Sequence, residues 1–299
     1  MMKIIGKIES INKGAHFSNT TIILEDKTRA NIKLDLVDEK DLQIGKVYVF
    51  DVEEFYREDV LNYRALKYMT VEDAGFSKEK LTEFWNSFYD YAPIPISEIK
   101  KGIESYLNRI DNKVLKDITK DIYQKFEDKY YLHPAATKFH HAYVGGLSYH
   151  TLTMLKLIEP MLNVYTYLNK DLLYAATILH DISKIDEMTG VDGEYTKEGV
   201  LIGHLVMGSI EVEMSALKLG YQDTEEVLLL KHLILSHHGQ LTFGSPKKPQ
   251  TAEALLLWFV DTMDSKFREL GDELEKIEPG EFTQAIAVLD KMKFYKPKL

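Results

Sequence analysis

The chain of 299 residues contains no cysteine, only two tryptophans and eight prolines, and no apolar run approaching the length of a membrane-spanning helix. Without cysteine there is neither a disulfide framework nor a thiolate-bound zinc, so any bound metal must be held by histidine and carboxylate. A spanning helix needs about 20 predominantly apolar residues, and Met1-Met2-Lys3-Ile4-Ile5-Gly6-Lys7 turns at once into charged alternation rather than a signal peptide. A soluble, cytoplasmic protein with no membrane partner is expected. Basic residues are also in short supply: 37 Lys and Arg against 47 Asp and Glu leave a formal net charge of −10, which argues against a generally basic nucleic-acid binder. The deficit is uneven, because residues 1–70 carry 11 basic against 12 acidic side chains and the remainder 26 against 35. The first segment can therefore present a local basic face, while carboxylates of the second are candidates for neutralisation by cations.

With 45% hydrophobic residues the chain can bury a sizeable core, and its length exceeds that at which single cores stop growing, so more than one domain is expected. Residues 1–70 alternate as half-buried strands do: Lys3–Ile8, Thr20–Glu25, Ala30–Leu36, Val47–Val52 and Leu61–Leu66. Five short strands predict a small barrel, with the OB-fold the first candidate and an SH3-like barrel the second. Phe17, Tyr48, Tyr56, Tyr63 and Arg64 fall on the exposed phase, where they are candidates for stacking on bases and contacting phosphate if they share a face; packing within the barrel is the ordinary alternative. From Ser77, read as a helix cap, the period becomes helical. An amphipathic stretch runs through Ile103, Leu107, Ile110, Leu115, Ile118, Ile122 and Phe126, and helices are expected over about 144–168, 170–183, 198–219, 223–236, 251–271 and 281–291. The division is thus residues 1–70 as barrel, 71–130 as helical connection and 131–299 as an all-α domain. The basic, aromatic segment 291–298 is read as a frayed terminus or a nucleic-acid contact.

Nine of the ten histidines lie between His133 and His238. His180-Asp181 closes the apolar run Tyr174–Leu179; neighbours on a helix diverge by about 100°, so the two can converge on one ion only at a helix end. Lys184 lies on the same helical side as both, placed either to neutralise a substrate phosphate or as a surface lysine. His237-His238-Gly239 ends another apolar helix, as a ligand pair or a helix cap. His204 sits between glycine-flanked apolar residues, where a lone histidine is more often a satisfied core residue. Asp261 follows Leu255–Val260 and requires a cation or hydrogen-bond partner if buried; Asp264, one turn on, competes with it.

The order His150, His180-Asp181, Asp261 resembles the ligand series of the HD-domain metal-dependent phosphohydrolases, an all-helical superfamily, and His180-Asp181-Ile182-Ser183-Lys184 is similar to their HD-x-x-K form. Pro134-Ala135-Ala136, the run from His140 to Leu147, His150-Thr151, Ser236–Gly239, Phe243–Pro246 with Pro249, and Asp261–Asp264 resemble the YhaM-type 3′-5′ exoribonucleases, in which an OB-fold precedes the HD domain. The resemblance covers nearly the whole chain. It implies one metal held by His150, His180, Asp181 and Asp261, with Asp181 bridging to a second held by His204 and His237, and His238 nearby or ligating. Asp181 and Lys184 are then the catalytic pair, and His140 and His141 are candidates for contacting phosphate, for positioning the first ligand or for a structural role; on the barrel, the exposed-phase Tyr63 and Arg64 are the further candidates for substrate contact. The implied cofactor is a pair of divalent ions, Mn first among Fe, Co, Ni, Zn and Mg; the implied partners are single-stranded RNA, single-stranded DNA and further copies of the chain. The alternatives are an HD phosphohydrolase of nucleotides or cyclic dinucleotides and a non-catalytic DNA-binding protein.

Overall fold

The computed structural model describes residues 2–14, 17–57, 60–137 and 141–299. The chain forms two compact units, Met1–Asp90 with Gly190–Glu194, and Tyr91–Thr189 with Tyr195–Leu299. His140, expected to contact substrate, lies outside the described residues.

In the first unit, β1 (Met2–Gly14) is long enough to serve two neighbours. Its first half pairs with β4 (Val47–Arg57) and its second with β2 (Phe17–Ile23), and a register shift between Ile8 and Ser10 marks the changeover. β2 runs antiparallel to β3 (Arg29–Lys33), β3 runs parallel to β5 (Val60–Thr70), and β5 returns antiparallel to β4. The strand order β1-β2-β3-β5-β4 closes on itself, giving the mixed five-stranded barrel of an OB-fold rather than the SH3-like alternative. Alternate residues fill the interior: Ile4 and Ile8, Ile22, Ile32 and Leu34, Phe50 and Val52. β4 is apolar on both phases for a second reason, since Val47 and Val49 pack with Phe84 and Phe88 of α1 (Lys78–Phe88). Ser77 caps that helix as expected, its hydroxyl accepting from the Lys80 N–H. Tyr48 is a correction: it is only 2% exposed and packs edge-on against Tyr68. Its phase points inward, and its hydroxyl is satisfied by the Gln43 N–H and the Asp41 carbonyl.

The second unit is built around α5 (Lys170–Leu179), in which every residue from Leu172 to Leu179 is buried. A helix apolar on all sides has to be surrounded, and α5 packs against α2 (Ile96–Asn108), α3 (Lys113–Tyr130), α4 (Gly146–Val164), α9 (Glu225–Ser236) and α10 (Ala252–Glu275). Ala175 and Ala176 keep it thin enough for that company. Its C-terminal end, where His180 and Asp181 stand, is therefore delivered to the middle of the domain. Two short helices, α6 (Lys184–Glu187) and α7 (Lys197–Leu201), lead to α8 (His204–Leu219).

Three expected helices differ in the structure. The stretch through Ile103 and Phe126 is broken at residues 109–112, where the Asp171 carboxylate accepts the backbone N–H groups of Asp111 and Asn112 and Asn112 caps α3. The helix expected over 198–219 is interrupted at Gly203, with φ 79° and ψ 152°. Residues 281–291 form bridges rather than a helix, Phe282 with Tyr295 and Ile286 with Met292, around a 3-10 turn at Ala287–Leu289 and left-handed Asp290 and Lys291. The final segment is thus tied down rather than frayed, and the Lys296 ammonium donates to the carbonyls of Leu274 and Ile277. Among the described residues no helix is long and apolar enough to cross a membrane.

Candidate metal centre

Five helices bring their ends or inner faces to one point in the second unit. His150 comes from the second turn of α4, His180 caps the C-terminus of α5 and Asp181 follows it. His204 opens α8, His237 caps the C-terminus of α9, and Asp261 lies on α10. Asp181 is the hub. Its Oδ1 lies 3.3 Å from His204 Nε2 and 3.5 Å from His237 Nε2, and its Oδ2 lies 3.3 Å from His180 Nε2 and 2.8 Å from Lys184 Nζ. His150 Nε2 is 3.2 Å from Asp261 Oδ1 and 3.9 Å from Asp181 Oδ2. His238 completes a group with Asp181, His204 and His237 whose donor atoms all lie within 4.8 Å of one another, and His150, His180 and Asp181 form a second such group.

The histidine tautomers follow from what each ring's other nitrogen meets. His180 Nδ1 stands 2.8 Å from the Thr177 carbonyl and His237 Nδ1 stands 2.7 Å from that of Ile234. A carbonyl only accepts, so each Nδ1 carries the hydrogen and each Nε2 presents a lone pair inward. His204 Nδ1 meets both oxygens of Glu187 at 2.9 Å with the same result, and Glu187 also accepts the backbone N–H of His204. The Nε2 atoms of His180, His204 and His237 and Oδ1 of Asp181 are all buried with no hydrogen-bond partner among the described residues. Four converging orphan acceptors would be costly in a folded core. A divalent cation satisfies all of them, and imidazole with carboxylate is the donor set that first-row divalent metals accept. The residues therefore fit a metal site of the kind expected.

Charge supports that assignment. Burial pushes the Asp181 carboxyl up, but the Lys184 ammonium and His180 more than reverse it and hold it well below the usual carboxylate range. Burial drives His237 down to about 3, so it stays neutral and able to ligate. Asp261 is likewise held low: burial opposes this, and its interactions with His150 and the neighbouring His237 and His180 together outweigh burial. Lys184 is pushed down by burial and up by Asp181, with a net upward shift that keeps it charged.

The competition between Asp261 and Asp264 resolves into two jobs. Asp261 faces the cluster, whereas Asp264 stands behind it, accepting from His150 Nδ1 at 2.6 Å and His141 Nε2 at 2.9 Å. Although His141, His150 and Asp264 could themselves be grouped as ligands, these are direct hydrogen-bond distances, and the three are better read as a brace that aims the other nitrogen of His150 inward. His141 also meets the Tyr143 hydroxyl at 2.8 Å. Glu187 was missed at the level of sequence, since one glutamate among 47 acidic residues carries no mark; only its six-residue distance from Asp181 hinted at proximity. Tyr63 and Arg64, adjacent on β5, point to opposite sides of the strand. Tyr63 packs on the barrel core, while Arg64 is paired with Asp35 at 3.1 Å and Glu53 at 3.0 Å and lies over the Phe55 ring.

Residues 147–265 match the model of the HD domain family. Over 294 residues, 97% of this chain and 90% of the relative, the sequence is 37% identical to the 3′-5′ exoribonuclease YhaM of a Geobacillus species. It is 39% identical to the proteins of that name from Bacillus licheniformis, over 243 residues, and Bacillus subtilis, over 240 residues, each alignment covering 80% of this chain and 76% of the relative. Identity at this level over nearly the full length, with an HD domain enclosing the buried His and Asp cluster, means that the chain belongs to the YhaM 3′-5′ exoribonuclease family.

Proposed function

We propose that this protein is a metal-dependent 3′-5′ exoribonuclease that shortens single-stranded RNA, and single-stranded DNA as a second substrate, to nucleoside 5′-monophosphates. The observation that carries the reading is the set of orphan acceptors around Asp181, in a chain whose relatives bear that activity in their names. His150, His180, Asp181 and Asp261 would hold one ion, and Asp181, His204 and His237, with His238 beside them, a second. Mn is the first choice, with Fe, Co, Ni, Zn or Mg as alternatives for such a donor set. When bound, such ions activate water and neutralise the charge that develops on a phosphodiester.

The chain's own side chains do the rest. Lys184, 17% exposed and fixed by Asp181, is placed to put a permanent positive charge beside a phosphate oxygen. Glu187 and Asp264 hold His204 and His150 in the ligating tautomer. The hydrogen bonds of His141 favour positioning over substrate contact. Residues 1–70 serve as the nucleic-acid-binding barrel, 71–130 as the connection and 131–299 as the hydrolase. On the barrel, Tyr63 borders a cleft of about 770 Å³ that also touches Arg29 and Asn31, while Arg64 would reach phosphate only by leaving its carboxylates. The protein acts in the cytoplasm. Assembly of like chains is supported by an exposed apolar stripe on α8, Val206, Ile210, Met214 and Leu217.

Digestion of 5′-labelled single-stranded RNA tests the reading. Chelation should abolish the ladder of shortened products and added Mn should restore it, and Asp181→Asn should lose turnover while still binding RNA. Degradation by a metal-free preparation, or a folded Asp181→Asn enzyme of normal rate, would overturn it.

A further inference from the structure

One face of α10 carries more than a metal ligand. Trp258, Asp261, Thr262, Ser265 and Lys266 follow the i, i+3, i+4, i+7, i+8 spacing of a single helical face, and all five line one cavity of about 350 Å³ that also reaches His238. The cavity therefore opens on the metal centre, and its volume is in the range of small-molecule sites, ~300–1,000 Å³. At one end of the face stands an indole and at the other an ammonium. Thr262 and Ser265 place two hydroxyls between them.

The indole is held in place by its neighbour. Gly239 follows the His237-His238 pair with φ +73°, and a Cβ added there would lie 2.0 Å from two atoms of the Trp258 ring. Only glycine lets the backbone next to His238 lie against the ring at this distance, so the rest of the indole is offered to the cavity. Lys266 is partly buried and makes no ion pair among the described residues, so its charge is open to an anionic ligand. Along the helix Trp258 lies about 4.5 Å to one side of Asp261 and Lys266 about 7.5 Å to the other, at 1.5 Å per residue. That is an aromatic plate and a cation on opposite sides of a phosphodiester-cleaving centre.

Resting on the function proposed above, we infer that this cavity receives the terminal nucleotide of the strand, with its base stacked on Trp258 and Lys266 facing the next phosphate on the chain side. An aromatic face accepts any base, so the subsite supports removal of nucleotides in turn with little sequence preference. Trp258 is then a substrate-positioning residue of the reaction.

Titration of the full-length protein with 5′-AMP, a product that is not turned over, and with adenosine, which has no phosphate for the metal centre, tests this by calorimetry. Trp258→Leu should weaken both on the order of tenfold or more, Trp258→Phe should retain most of the affinity, and Lys266→Gln should weaken the dinucleotide pApA but not AMP. In steady-state digestion Trp258→Leu should raise KM more than it lowers kcat. Unchanged AMP and adenosine affinity in a folded Trp258→Leu protein would overturn the inference, as would equal loss from the Leu and Phe variants. If Trp258→Leu does not fold, the comparison of wild type with Trp258→Phe and Lys266→Gln decides, and an AMP loss in Lys266→Gln as large as that for pApA counts against it. RNA digestion by the parent protein separates the two readings: digestion with AMP affinity insensitive to Trp258 sinks the subsite alone, and Trp258-dependent AMP binding without digestion sinks the exonuclease alone.

Discussion

Each histidine of the centre does two things at once, and the second is easy to overlook. His204 turns Nε2 toward Asp181 only because Glu187 takes the hydrogen of Nδ1 and the backbone N–H of the same residue. Glu187→Ala should leave the fold standing but weaken metal binding 10- to 100-fold, the usual effect of losing such a partner. Metal titration of the chelated protein followed by calorimetry checks it, and activity should return at raised metal concentration; a defect that metal cannot rescue would make Glu187 merely structural. The candidate ligands were legible at this scale, since His180-Asp181, His204 and His237-His238 stand at helix ends or beside glycines where the sequence marks them, and the structure brings them together. Their supports were not. Glu187 and Asp264 gain their meaning from contact across elements, which spacing along a chain does not encode.

At the scale of elements the centre depends on where helices stop. α5 and α9 end on a histidine and α8 begins on one, so small changes of helix boundary move ligands. Gly203 separates α7 from α8 at φ 79°, ψ 152°, a region that only glycine occupies readily. A Cβ there would have space, its nearest neighbour being Glu187 Oε1 at 3.8 Å, so Gly203→Ala acts through backbone strain. It should cost about 1–3 kcal/mol of stability, read from denaturant unfolding, and should lower metal affinity as His204 shifts. A variant as stable as the parent with unchanged metal binding would contradict this. Gly203 also explains why a single helix over 198–219 was expected, because the apolar period continues through a residue that the backbone uses to turn. The same blindness to chain reversal merged α2 with α3, where the decisive group, Asp171, lies some 60 residues away in sequence. At 281–291, bridges to residues 292 and 295 replaced the expected helix because the pairing partner comes later in the chain.

For the whole molecule, the change of period near Ser77 separated barrel from helices with no structure in hand, since strand and helix impose different spacings on apolar residues. Barrel closure and the inward turn of Tyr48 were beyond that signal. Charge sets an expectation at this scale too. A chain of net charge −10 must hold RNA with few phosphate contacts and more stacking. For single strands, log affinity falls with log salt by about 0.7 per phosphate contact, so about four contacts give a slope near −3. RNA binding by Asp181→Asn across a salt series should be no steeper than that. A much steeper dependence would point to a long basic track that the composition does not suggest.

The proposed ligands also span the chain from residue 150 to residue 261, on helices that reach their places only by packing around α5. A ribosome that has not yet released α10 carries a chain without Asp261 or its brace Asp264. Until then the first of the two proposed ion sites lacks one of its four ligands, and the centre can be completed only after nearly the whole helical domain has left the ribosome.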